Sequence, residues 1–91
     1  MRILTLPVKR IYFEQIRDGL KDCEYRLTTD YWYKRLLGQH YDKVVITLGY
    51  PKKDDASRRL EFPYRGYAVR DLLHPHFGPD LVEVFAIPVV A

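Results

Sequence analysis

Apolar and polar positions change their spacing along this chain and divide it into short elements. Ile3-Leu4-Thr5-Leu6 is a nearly continuous apolar run and reads as a buried strand that ends at Pro7. From Lys9 to Leu20 the residues Tyr12, Phe13, Ile16 and Leu20 recur at steps of three and four, which is one face of an amphipathic helix. Gly19 stands where such a helix stops, because glycine adopts the left-handed conformation without a Cβ clash. A period of two takes over between Asp22 and Thr28. Cys23, Tyr25 and Leu27 share one side and Asp22, Glu24 and Arg26 the other, as in a half-buried strand. Tyr31 to Leu37 predicts a second short helix, with Trp32, Tyr33, Leu36 and Leu37 on neighbouring turns and a stop at Gly38.

The second half reads mainly as strands. Val44 to Leu48 is the clearest, β-branched and almost wholly apolar, and Gly49-Tyr50-Pro51 follows it. Lys52 to Ser57 is a polar connector. Leu60, Phe62 and Tyr64 then alternate with Arg59, Glu61 and Pro63, another strand whose proline places it at an edge or a bulge. Gly66 to Leu73 is expected to continue that strand or to pair with it. His74 to Pro79 is a rigid loop, since two prolines fix φ and Gly78 permits a turn. Leu81 to Val90 is a final strand, central as far as Pro88. One or two helices beside five or six short strands make an α+β fold, and strands this short and twisted tend to close into a small barrel.

At 91 residues the chain holds one domain, residues 1–91, with a single core. Its hydrophobic content of 47% is too high for intrinsic disorder. No apolar run approaches the roughly 18 residues of a membrane span, and the opening segment does not read as a secretory signal. The one cysteine, Cys23, forms neither an intrachain disulfide nor a thiolate cluster, so a cytoplasmic protein is the expectation.

The net charge of +3 is unevenly spread. Residues 34–70 carry nine Lys or Arg against four acids, whereas residues 71–91 carry three acids and no Lys or Arg. Tyr31, Trp32, Tyr33, Tyr41, Tyr50, Tyr64 and Tyr67 lie within or beside this basic middle. Cations that meet a phosphate backbone and π-faces that stack on bases are what a nucleic-acid surface needs. The same composition also suits a small β-rich core filled by aromatics under solvated charges.

Three groups of residues can carry chemistry. In the first, Glu24 and Arg26 project from one side of a strand, and Lys21 reaches the same region from the helix end. They form either a surface ion-pair cluster or a fixed anionic acceptor between two cationic donors. The second arrangement suits the edge of a nucleobase: a carboxylate accepts from an exocyclic amine while the cations hold carbonyl oxygens or phosphate. A neighbouring carboxylate is expected to keep the Lys21 ammonium charged. In the second group, Lys52, Lys53, Arg58 and Arg59 can follow a phosphate backbone, with Tyr50 or Tyr64 as a stacking platform, or they decorate a solvated loop. In the third, His74 and His76 stiffen a loop or act as general acid or base. Two histidines alone are too few for a zinc site, so no metal and no cofactor is expected.

The octapeptide Gly19-x-Lys21-x-x-Glu24-x-Arg26 resembles the signature of the ASCH domain, a branch of the PUA-like superfamily. The likeness covers essentially the whole chain: the opening strand, the helix before the motif, the Val44-to-Leu48 strand and the closing strand match in type and order. Segments such as Asp42-Lys43-Val44-Val45, Gly49-Tyr50-Pro51 and His74-Pro75-His76-Phe77-Gly78 look like those of short stand-alone ASCH proteins carried by phages and prophages. The resemblance implies a small β-barrel with helices beside it and a cleft lined by the signature residues. It implies binding of RNA or modified nucleobases. Some members of the wider group are hydrolases, among them amidases acting on acylated cytidine. Those have a lysine at the position of Lys21 and a threonine where this chain has Glu24.

Three functions follow as expectations. The first is a binding module for single-stranded RNA, a nucleotide or a modified nucleobase. The second is a small ribonuclease or modified-nucleoside hydrolase that uses Lys21 and Glu24. The third is a phage-type module with a protein partner.

Overall fold

The first strand, β1 (Ile3–Val8), runs two residues past Leu6, through the proline expected to end it. The computed structural model, which describes residues 1–91, shows why. β1 is the outer strand of its sheet and pairs on one side only, in parallel with β3 (Lys43–Leu48). A missing amide donor is tolerated on such an edge. Leu4 and Leu6 lie opposite Val44 and Ile46 and are fully buried, while Ile3 and Thr5 alternate outward.

Between these strands the chain forms α1 (Arg10–Arg17), β2 (Cys23–Leu27) and α2 (Asp30–Leu36). α1 is shorter than its apolar period from Lys9 to Leu20. Gly19 takes φ 76°, and the Gly19 and Leu20 amides donate to the carbonyls of Ile16 and Gln15 at 3.2 and 2.8 Å. This pair of bonds closes the helix and reverses the chain, so Leu20 leaves the apolar stripe and stands exposed. α2 is capped by Thr29, whose hydroxyl accepts from the Trp32 amide. Of its apolar positions only Leu36 is buried. Tyr33 and Leu37 are exposed, because this short helix turns one narrow side to the core.

After β3 come β4 (Arg59–Pro63), β5 (Ala68–Leu72) and β6 (Val82–Pro88), with short 3₁₀ turns at Ala56–Arg58 and Pro75–Phe77. The six strands form two three-stranded sheets, in the orders β1-β3-β4 and β2-β6-β5. The segment expected to extend or pair with β4 does neither. β5 pairs with β6, Ala68 opposite Ala86 and Leu72 opposite Val82. Gly66, at φ 78°, turns the chain out of the first sheet. The apolar run Val84–Ile87, buried throughout, is a central strand flanked by β2 and β5.

One core joins the sheets. Leu4, Leu6, Val44 and Ile46 meet Phe85 and Ile87, and Phe13, Ile16 and Leu36 cover them from the helices. Each such side chain contributes roughly 1.5–3 kcal/mol by leaving water. The rings of Tyr33 and Tyr67 stand edge-on to Phe85, each at 5.1 Å. No helix is long and apolar enough to cross a membrane.

Candidate functional site

The turn at Gly19 delivers Lys21 to the start of β2, and the strand period puts Glu24 and Arg26 on the same side. The three side chains are 9%, 6% and 18% exposed: Glu24 is buried and the two cations beside it are largely covered, unlike a surface ion-pair cluster. Glu24 Oε2 forms an ion pair with Arg26 Nη1 at 3.0 Å, and Glu24 Oε1 accepts from the Tyr25 amide at 3.1 Å. Arg26 also donates from Nη1 to the Tyr25 carbonyl and from Nη2 to the Pro7 carbonyl, both at 2.9 Å. It thus ties β2 of one sheet to β1 of the other. The Lys21 ammonium is held less tightly. It stands 3.7 Å from Glu24 Oε1, beyond hydrogen-bond length, and 4.3 and 5.3 Å from the ring centres of Tyr25 and Tyr12.

Burial sets the electrostatics here. Desolvation lowers the Lys21 pKa below the ordinary lysine value, and the attraction of Glu24 recovers only part of the loss. The sequence expectation weighed the neighbouring carboxylate alone; with the side chain largely out of water, desolvation is the larger influence on the pKa. His74 is also lowered, first by burial and then by the charges of Lys21 and His76, against the pull of Glu24. Its Nδ1 accepts the His76 amide at 3.1 Å, which leaves Nε2 to carry the proton of the neutral ring.

These groups line one cleft of about 1120 Å³ between the helices and the ends of β1, β2 and β3. Of the residues singled out from sequence, Lys21, Glu24, Arg26, Tyr50, Arg59, His74 and His76 all line it. Tyr50 is 93% exposed, a free ring at the cleft edge. Arg59 donates from Nη2 to the Lys52 carbonyl at 3.1 Å and so holds the loop after β3. Its buried Nε has no partner. Lys52, Lys53, Arg58 and Tyr64 lie outside the lining. Arg58 pairs with Asp55 at 3.2 Å. Lys53 borders a smaller hollow with Lys43 and Glu61. Tyr64 packs edge-on to Tyr41 at 5.2 Å beside the core, where burial raises its hydroxyl pKa. No group of three or more His, Cys, Asp or Glu side chains is gathered as metal ligands.

Several lining residues were not singled out from the sequence. Tyr12 and Tyr25 flank Lys21, and each also lies near His74, with ring centres 5.6 and 6.0 Å away. Trp32 carries the guanidiniums of Arg26 and Arg35, each 5.3 Å from its ring. The i,i+3 spacing of Trp32 and Arg35 was the available signal, but spacing does not say which side of a helix faces a hollow. Compared with protein-family models, curated proteins and solved structures, the chain matches none.

Proposed function

We propose that this chain is an ASCH-type domain of the PUA-like superfamily whose cleft binds a nucleobase, presented by a nucleotide or by single-stranded RNA. The observation that carries this reading is the buried Glu24 carboxylate, fixed between Lys21 and Arg26 in an aromatic-walled cleft. A carboxylate so placed has unused lone pairs for an exocyclic amine. The Lys21 ammonium beside it has protons free for a ring carbonyl. Tyr12, Tyr25 and Trp32 offer faces on which a base can stack. In this reading the two sheets are the halves of a small barrel, and Arg26, bonded across to Pro7, is the tie between them.

Thermal shift with the four ribonucleoside monophosphates and short single-stranded RNAs tests it. At least one is expected to raise the melting temperature, since a ligand of the folded state alone stabilises it. Glu24→Gln, close in shape but uncharged, is expected to weaken that ligand about tenfold or more. A melting temperature unmoved by all of them, or equal binding by the variant, would overturn the reading.

One observation favours a second reading, a hydrolase of RNA or modified nucleosides. A lysine with a lowered pKa in a cleft is closer to a working base or nucleophile than a solvated one. It requires products from RNA or acylated nucleosides that vanish in Lys21→Ala.

A further inference from the structure

The charge of the cleft exceeds what recognition of a base requires. Six Lys or Arg line it against one acid, Glu24, and that acid is already engaged by Lys21 and Arg26. The other four cations, Lys9, Arg10, Arg35 and Arg59, form no ion pair with any carboxylate. They are not equivalent. Lys9 and Arg10 are exposed chains, and Arg59 is tied to the Lys52 carbonyl. Arg35 is held by aromatic groups alone. Its Nη1 donates to the Tyr31 hydroxyl at 2.8 Å, and its guanidinium lies 5.6 and 5.3 Å from the rings of Tyr31 and Trp32. Its Nε and Nη2 make no hydrogen bond, and a paired N–H edge of this kind grips a phosphate with two parallel bonds. Arg26, at the base end, lies against the same Trp32 ring at the same 5.3 Å. The two guanidiniums are therefore within about twice that distance of each other, which one nucleotide spans from base edge to phosphate.

We propose that Arg35, steadied by Tyr31 and Trp32 on α2, is a phosphate subsite of the cleft, so that the ligand is a phosphorylated nucleotide and not a free base or nucleoside. This rests on the nucleotide-binding reading and adds the chemical class of the ligand. A pre-positioned, carboxylate-free guanidinium has little to lose in side-chain freedom when the anion arrives, and that favours Arg35 over the flexible Lys9 and Arg10.

The chain's one tryptophan, Trp32, sits at the subsite, so its fluorescence reports occupancy directly. The intact protein is titrated with the four ribonucleosides and with their 5′- and 3′-monophosphates. At least one monophosphate is expected to bind about tenfold or more tighter than its nucleoside, the size of one charge-assisted contact. Arg35→Leu is expected to bring that ratio close to one, and Arg35→Lys to leave it intermediate. Lys34→Gln, which removes the same charge from an exposed site on the same helix, is expected to keep the full ratio. Nucleosides binding as tightly as monophosphates would overturn the phosphate subsite and leave the base-binding reading standing. A phosphate preference that survives in Arg35→Leu would place the phosphate elsewhere and overturn the assignment to Arg35. No binding of any of these probes, with the wild-type protein folded, would overturn the phosphate subsite, and the base-binding reading falls with it if the short single-stranded RNAs also fail to bind.

Discussion

Burial acts on Lys21 and Glu24 with opposite consequences. The lowered Lys21 pKa means that folding disfavours its proton. The charged side chain therefore costs stability at all pH values below its folded pKa, and the cost fades as pH rises toward 10.5. At pH 7, Lys21→Met is expected to raise unfolding stability by on the order of 1 kcal/mol, because a flexible apolar chain fills the space between Tyr12 and Tyr25. Glu24→Gln is expected to lower it by about 3 kcal/mol, because it strands two cations, one of them the Arg26 that joins the sheets. Urea melts of the two variants check the signs, and equal signs would sink this account. That Glu24 and Arg26 share a side was readable from their spacing. That theirs is a covered side was not. Alternation gave Cys23, Tyr25 and Leu27 to the core, yet Leu27 is 38% exposed and Tyr25 faces the cleft. A strand between a core and a cleft has no apolar-inside rule for its second face.

At the level of elements, short-range chemistry carried furthest where a glycine or a cap forces the backbone. Gly19 and Gly38 end their helices at φ 76° and 68°, and no atom lies within 4 Å of a Cβ built on either. The penalty for a side chain there is conformational and not steric. Gly19→Ala is expected to cost about 1–2 kcal/mol and Gly19→Asn clearly less, since asparagine tolerates this region. Thermal melts of the two variants decide it, and an equal loss would point to crowding instead. Strand existence was similarly readable, but strand partnership was not. β5 reads as a continuation or a partner of β4, yet it pairs with β6, which follows it after the His74–Pro79 loop. Only the need of a buried run such as Val84–Ile87 for neighbours on both edges settles that choice.

Across the whole molecule, the cleft is built from both ends of the chain. Lys21 comes from the first quarter and His74 from the last, and the charge of Lys21 helps to lower the His74 pKa. With its folded pKa below the unfolded value near 6.5, His74 stabilises the fold fully above that pH, and the contribution is lost as pH falls from 6.5 toward the lowered folded value. The melting temperature is therefore expected to drop over this window. The drop should be smaller in His74→Asn, which can still accept the His76 amide but does not titrate. An unchanged profile in the variant would remove His74 from the pH response. The sequence by itself determined the helix stops, the clearest strands, the α+β class and the grouping of Lys21, Glu24 and Arg26, because each depends on spacing within a few residues. The tertiary structure decided which sheet each strand joined, which faces were covered, and that Tyr12, Trp32 and Arg35 belong to the same hollow as the triad. Those outcomes depend on packing between distant segments, where burial can outweigh a neighbouring charge, as it does at Lys21.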